Sequence, residues 1–356
     1  MDKLLSVIVP SYNMETYLAK NISSMMVQDE ALRQLLEVIV VNDGSKDRTS
    51  EIAHDFATKY PGCVTVIDKP NGHYGSCINA ALPVAKGKYI RILDADDYAN
   101  TNAFERFIVY LIEVDREDDK LDLVISNHCK VTPEGVIFWR ENYNLPNGRS
   151  FTLNSIADNF DGFVCLLAIT YRTEMLREMG YRQTEGCSYS DIEWFILPMS
   201  RVRSVRYFDE VVMCYLVGRD GQTMQPEIYL RDFPIVMRLK MGVLRCIKNM
   251  EAQISIQSNV YQRQLLKRTI SAVYRFVVMS RKGYVHYLRL RLFDDDVKCI
   301  DPILHKTLEQ EYVRIMGARV YYIKYWRFNS FVNRIRIQLS IVAQAIEYHC
   351  SRITKS

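Results

Sequence analysis

Three aspartates within four positions, Asp94, Asp96 and Asp97, close the stretch YIRILDADDY (89–98). Carboxylates this close repel and raise one another's pKa unless a cation sits among them. Hard oxygen ligands at i and i+2 suit Mg²⁺ or Mn²⁺, which take one or two protein carboxylates and complete their shell with phosphate oxygens. Asp94 and Asp96 are therefore the candidate metal ligands. Asp97 is either a third ligand or the cap of a helix beginning near Thr101. An acidic surface turn is the plain alternative. A second candidate stands far along the chain, in GCSYSDIEWFILPM (186–199). Asp191 opens an apolar helical turn there, with Glu193 in reserve. A carboxylate at that place can act as a general base or simply cap the helix. Trp194 can stack on a sugar face or belong to the core.

The segments that must hold these acids alternate strand and helix. Leu4–Val9, Glu37–Val41, Val64–Ile67 and Tyr89–Leu93 are short apolar runs that read as buried strands. Helical spacing over Tyr17–Gln28, a helix capped by Asp47 and running to Lys59, and a short helix over Ile78–Ala85 lie between them. All-apolar strands alternating with helices predict a mostly parallel sheet covered on both faces. Ligands of such sheets bind beyond the C-terminal strand ends. That rim would carry Pro10–Asn13, Asp43–Ser45, Lys69–Gly72 and Asp94–Asp97. Further on, Phe104–Val114 reads as helix, Leu121–Ser126 and Phe163–Thr170 as strands, Thr173–Met179 and Asp191–Met199 as helices, and Val205–Val217 as a strand or hairpin.

The texture changes near Pro226, which divides an α/β domain (1–225) from a helical region (226–356). Residues 1–230 carry 23 basic and 33 acidic side chains, and 231–356 carry 23 and 9, so the net charges are −10 and +14. Such asymmetry suggests regions with different partners. Near the C-terminus Phe328, Val332, Ile335, Leu339, Val342 and Ile346 share one helical stripe flanked by Arg327, Arg334 and Arg336. That pattern suits peripheral contact with an anionic membrane through 320–350, packing within the domain, or a homo-oligomer contact. No nucleic-acid module accompanies the charge, so nucleic acid is not an expected partner. Nine scattered cysteines without a C-x-x-C pair read as reduced thiols of a cytoplasmic protein. No cleavage-site pattern follows the N-terminus, and no apolar run approaches a membrane span. Neither a dinucleotide fingerprint nor a P-loop is present.

Four segments in order, SVIVPSYN (6–13), VIVVNDGSKDRT (38–49), KPNGHYGSCINAAL (69–82) and YIRILDADDY (89–98), resemble the family 2 glycosyltransferases. These are inverting enzymes with the GT-A nucleotide-sugar fold, of the type that builds bacterial surface polysaccharide. The resemblance is strong over about 4–100 and weaker to about 225. It implies that Pro10, Tyr12 and Asn13 shape the nucleoside pocket and that Asp43 recognises a uracil edge. The family usually writes D-D-G-S where this chain has Asn42 before Asp43. Asp94 and Asp96 match the family's D-x-D pair, ribose or metal for the first and metal for the second. Gly72 and Gly75 would permit a close backbone approach by ribose or diphosphate, His73 would donate to sugar or diphosphate, and Lys69 would neutralise phosphate or sit on the surface. In VGRDGQT (217–223), Arg219 and Gln222 reach the diphosphate or belong to a glycine turn. The implied reaction is inverting, Mn²⁺- or Mg²⁺-dependent transfer of a sugar from a nucleotide sugar, UDP-linked by expectation, to a saccharide or lipid-linked acceptor, in the cytoplasm or at the inner membrane face. A noncatalytic nucleotide-sugar sensor or scaffold and a nucleotidyltransferase are the rival readings.

Overall fold

The computed structural model describes residues 3–328, apart from 118–119, 158–159, 161–162, 220, 223–224, 255–259, 281–282 and 316–317. The described residues form two compact units, one from the chain up to Gln222 and one from most of the chain after it.

The first unit is built on a nine-stranded sheet. Its strands are β1 (Leu5–Ser11), β2 (Leu36–Asn42), β3 (Val64–Asp68), β4 (Tyr89–Ile92), β5 (Tyr98–Ala99), β6 (Leu123–Val131), β7 (Ile137–Glu141), β8 (Ile169–Arg172) and β9 (Val205–Leu216). The order is β3-β2-β1-β4-β8-β6-β9-β5, with β7 paired to β6. The first four strands are parallel, and β8 enters antiparallel between β4 and β6. The parallel strands β1, β2 and β4 are almost wholly buried, which is why they read as unbroken apolar runs.

Helices α1 (Leu18–Met25), α2 (Glu30–Gln34), α3 (Thr49–Lys59), α4 (His73–Ala81) and α5 (Thr101–Glu117) accompany the parallel half. Asp47 accepts from the Thr49 N–H at 3.0 Å, satisfying a donor in the first turn of α3. The start of α5 is held by Asn100, whose side chain accepts from Ala103 N–H; Asp97 does not cap it. Helix α4 begins five residues before the expected Ile78. Gly75 lies inside it because a Cβ there would stand 2.1 Å from the Thr184 carbonyl. The glycine serves close packing inside the protein, and the sequence cannot show what the backbone approaches. The remaining helices of this unit are α6 (Leu153–Ile156), α7 (Thr173–Glu178) and α8 (Asp191–Ile196). The expected strand Phe163–Thr170 is instead a 3₁₀ turn over Leu166–Ala168 followed by β8. The buried Arg91 guanidinium takes the Leu167 carbonyl at 2.5 Å, so that group does not join a ladder.

The second unit contains α9 (Pro226–Ile254), α10 (Val260–Met279), α11 (Tyr287–Ile300), α12 (Pro302–Thr307), the short hairpin β10 (Val313–Ile315) and β11 (Ala318–Val320), and α13 (Tyr322–Phe328). Among the described residues no helix is long and apolar enough to cross a membrane. Tyr322, Ile323 and Trp326 of α13 are buried. Arg327, expected to flank the apolar stripe, pairs with Asp294 at 2.6 Å and Glu309 at 3.3 Å, which agrees with the alternative of packing within the domain. A guanidinium with two carboxylate partners has little left for a lipid surface. The rest of that stripe, from Val332 to Ile346, lies outside the described residues. None of the described cysteines is disulfide-bonded.

Gly87 tests the packing that fixes β4 beside β1. Its N–H donates to Ser6 Oγ at 2.8 Å, and a Cβ at 87 would meet Ser6 N at 2.3 Å. The obstacle is backbone, so Gly87→Ala should cost about 1–3 kcal/mol. Equilibrium denaturation measures this, and an unchanged midpoint would contradict the described packing.

Candidate active site

The C-terminal ends of β1 to β4 bring the expected rim together. Asp43, at the end of β2, is buried. Its Oδ1 accepts from Lys69 Nζ at 2.6 Å, Gly72 N–H at 2.9 Å and Ser76 Oγ at 3.4 Å. Lys69 also donates to the Pro70 carbonyl and to Ser76 Oγ, so its three N–H donors all have protein acceptors. It neutralises Asp43 and is neither a loose surface lysine nor a spare phosphate ligand. Asn13 has φ +52° and braces the neighbouring turn: its N–H donates to Ser45 Oγ and its Oδ1 accepts from Lys46 N–H. Pro10 is half-buried, and Tyr12 is 45% exposed beside it. Gly72 is tight against Ser76, whose Oγ would lie 2.7 Å from a Cβ at 72. His73 opens α4 with φ +63°, and its side chain is exposed.

The acid cluster follows β4. One carboxylate oxygen each from Asp94, Asp96 and Asp97 lies within 4.8 Å of the others. Asn21 of α1 donates its amide to the carbonyls of Asp94 and Asp97, both at 2.9 Å, which fixes the turn. Asp97 is 1% exposed and accepts from Leu216 N–H at 2.8 Å through Oδ1, while its buried Oδ2 has no partner. Loss of solvent, then the charges of Asp96 and Asp94, hold its pKa well above the usual carboxylate range. Burial is also the main force raising Asp94 to about 7, with help from Asp96 and Asp191 and against the pull of Tyr74 and Arg219. Tyr74 donates its hydroxyl to Asp94 Oδ1 at 2.9 Å. Arg219, beyond β9, donates Nε to Asp96 Oδ2 at 2.5 Å and lies over the Tyr17 ring. Gln222 closes its own turn, accepting from Gly218 N–H and donating to the Leu216 carbonyl.

The donor set fits a divalent cation. The oxygens are hard, they are close together, one buried oxygen is orphaned, and burial penalises their charge more than the surroundings relieve it. Asp94, Asp96 and Asp97 would hold it.

The second acid comes from a segment tied to α4. Asn79 donates to the Gln183 carbonyl and accepts from Gln183 N–H, and Gly186 N–H donates to the Gly72 carbonyl. These contacts carry the start of α8 to the rim. Asp191 is half-buried there, and its charge contributes to raising the pKa of Asp94 and Tyr74. Ser190 occupies the cap position, so Asp191 is the first helical residue. Glu193 faces away and accepts from Thr184 N–H and Oγ1, both at 2.6 Å. It is a buried anchor and not a second base. Trp194 is 0% exposed, edge-on to Tyr171 and Tyr181. Its indole belongs to the core and is closed to a sugar.

Tyr74 and Asn21 escaped the sequence reading. For Asn21 a signal existed: an amide on the apolar stripe Leu18–Ile22–Met25 must find partners inside. Tyr74 gave none, because a tyrosine after a glycine-rich turn is ordinary.

The model of the family described as "Glycosyl transferase family 2" matches residues 6–179. Glycosyltransferase GlyG of Streptococcus pneumoniae is 35% identical over 237 residues, 66% of this chain and 68% of that protein. Minor teichoic acid biosynthesis protein GgaB of Bacillus subtilis is 35% identical over 119 residues, 33% of this chain but only 13% of that protein. Among solved structures, S. aureus TarS 1–349 in complex with UDP-GlcNAc is 19% identical with a TM-score of 0.53, covering 89% of this chain and 95% of that one, a likeness of fold. With GlyG matched over more than two thirds of its length and the family's region running through β1, β2 and β4 to α7, this chain belongs to glycosyltransferase family 2.

Proposed function

We propose that this protein is an inverting, cation-dependent glycosyltransferase that moves a sugar from a UDP-sugar to a saccharide or lipid-linked acceptor in surface-polysaccharide assembly. The observation that carries the reading is the convergence of three carboxylates after β4 with a fourth, Asp191, from a segment about a hundred residues later. The relation to GgaB, named for teichoic acid biosynthesis, and the fold of TarS with UDP-GlcNAc support the acceptor and donor classes.

In this reading Asp43 accepts from the uracil N3–H. Its Oδ1 is occupied by Lys69 and Gly72, so Oδ2 is the atom turned to the base. Pro10 and Tyr12 wall the base, Asn13 braces the pocket, and Lys69 and Gly72 act through Asp43. His73 donates to the diphosphate. Arg219 exchanges Asp96 for a phosphate oxygen when the donor enters, a short step for a guanidinium. Mn²⁺ or Mg²⁺ held by Asp94 and Asp96, with Asp97 as a third ligand, would stabilise the charge that grows on the departing diphosphate. Asp191 removes the proton of the acceptor hydroxyl as its oxygen bonds to the anomeric carbon. The carbon–oxygen bond to the diphosphate breaks on the opposite face. UDP leaves, the glycoside has inverted configuration, and the proton on Asp191 passes to water.

Asp191→Asn should lower kcat by about 10²–10⁴-fold. UDP affinity, followed by calorimetry, should stay within about threefold, since Asp191 is not among the residues assigned to hold the nucleotide. Release of UDP rather than pyrophosphate identifies sugar transfer. Unchanged turnover in this variant removes Asp191 from the reaction.

Asp94 gives a test of the cation site with a defined sign. Its carboxyl titrates near 3.8 when unfolded and at about 7 when folded. The folded state therefore holds the extra proton in that window, and this group subtracts stability as pH rises through it. In the metal-free protein Asp94→Asn should raise the melting temperature by roughly 2–4 °C at about pH 8, with the gain shrinking toward about pH 5. The same variant should lose the rise that Mn²⁺ with UDP gives the wild type. Equal Mn²⁺ responses in both proteins would exclude Asp94 as a ligand.

A further inference from the structure

The last rung of the β2–β3 ladder pairs Asn42 with Asp68. Asn42 is buried and donates its amide to Asp68 Oδ1 at 2.7 Å, while its own Oδ1 accepts from Ser45 N–H at 3.1 Å. The amide is thus used at both ends, one to the neighbouring strand and one to the turn that follows. Asp68 is held from the other side by α3: Ser50 Oγ donates to Oδ1 at 2.8 Å, and His54 Nε2 lies 2.7 Å from Oδ2. Hydrogen bonds from Asn42, His54 and Ser50 hold the Asp68 carboxyl below its ordinary pKa, against its partial burial. The residues next along each strand are Asp43 and Lys69, joined at 2.6 Å. Lys69 N–H donates to the Asn42 carbonyl at 3.0 Å, completing a closed ring of contacts around the two strand ends. Gly44, with φ +72°, sits in the same turn, where a Cβ would stand 2.9 Å from Asn71 N.

We propose that Asp68 is a positioning residue of the nucleoside pocket: through the Asn42 amide it sets the 42–45 turn and so aims Asp43. This explains the one departure from the D-D-G-S wording. A carboxylate at 42 would directly face the carboxylate of Asp68, and like charges on one rung are destabilising. Position 42 carries the amide because the acid of the pair stands on β3. Exchanging the two residues remakes the rung with donor and acceptor reversed, and leaves an oxygen at 42 for the Ser45 N–H. The proposal rests on the reading of Asp43 as the base-recognising carboxylate.

The test is the charge-exchange cycle, with UDP and Mn²⁺ as the probe. Asn42→Asp should raise the Kd for UDP about three- to tenfold, the cost of a like-charge rung with one member buried. Asp68→Asn alone should change it less, because an amide oxygen can still accept from Asn42. Asn42→Asp with Asp68→Asn should return Kd to within about twofold of wild type, a recovery that lost stability alone would not produce. Hydrogen exchange of the Ser45 and Lys69 amides is followed without nucleotide in the same proteins. It should quicken in Asn42→Asp and slow again in the exchanged pair. A double variant no better than Asn42→Asp in either measurement overturns the proposal. Failure of wild type to bind UDP sinks the donor-site reading instead, and the exchange measurement still decides whether the rung sets the turn.

Discussion

Negative charge held out of water at the end of β4 is the constraint around which the first unit is arranged. Three aspartates within four residues are stable there only if distant segments supply donors and positive charge. Asn21 comes from α1, Tyr74 from α4, the Leu216 N–H from the end of β9 and Arg219 from just beyond it. The chain must therefore close nearly all of its first 222 residues before the rim is complete. Even then the balance is short, since Asp94 and Asp97 keep raised pKa values and Asp97 keeps an orphaned oxygen. That shortfall is what the proposed reading assigns to a cation from outside.

The other acid of the rim has the opposite electrostatics. Asp43 is as buried as Asp97, yet Lys69, Gly72 and Ser76 all donate to it. It is a largely satisfied carboxylate with all of these donors on Oδ1, better suited to reading a neutral N–H than to holding a metal. In the proposed reading, two carboxylate sites on the same sheet edge divide the labour of recognising a nucleoside diphosphate: hydrogen bonding at the base, charge at the phosphates.

Much of this was legible before the fold was known, for reasons that can be stated. Buried parallel strands leave continuous apolar runs, so β1, β2 and β4 could be placed almost to the residue. The acids were visible because like charges rarely crowd together without purpose. The readings that stayed open share a different cause. Gly75, Glu193, Trp194 and Lys69 each have a chemically suggestive type, and each is spent on a tertiary contact that only the fold creates. The +14 of the C-terminal region could not be read further for the same reason. Among its described residues Lys248, Lys267, Arg245 and Arg327 already have carboxylate partners within the second unit. Composition counts charges and cannot see which are paired.

The buried groups behind α8 bear on why its first residue can be reactive. The helix has six residues, too few to hold itself in place. Glu193 binds Thr184, Gln183 donates to the Ser190 carbonyl at 2.6 Å, and Trp194 fills the core beneath, its carbonyl accepting from the Tyr171 hydroxyl. Each contact lies behind Asp191 or beside it, and together they fix the backbone from which its carboxylate projects. A base must meet its hydroxyl within hydrogen-bond reach while the anomeric carbon lies in line, a tolerance well under an ångström. The acids that sequence reading ranked as base and reserve are therefore complementary. In the proposed reading Glu193 is buried so that Asp191 need not move, and a substitution at 193 acts on the reaction through the position of 191.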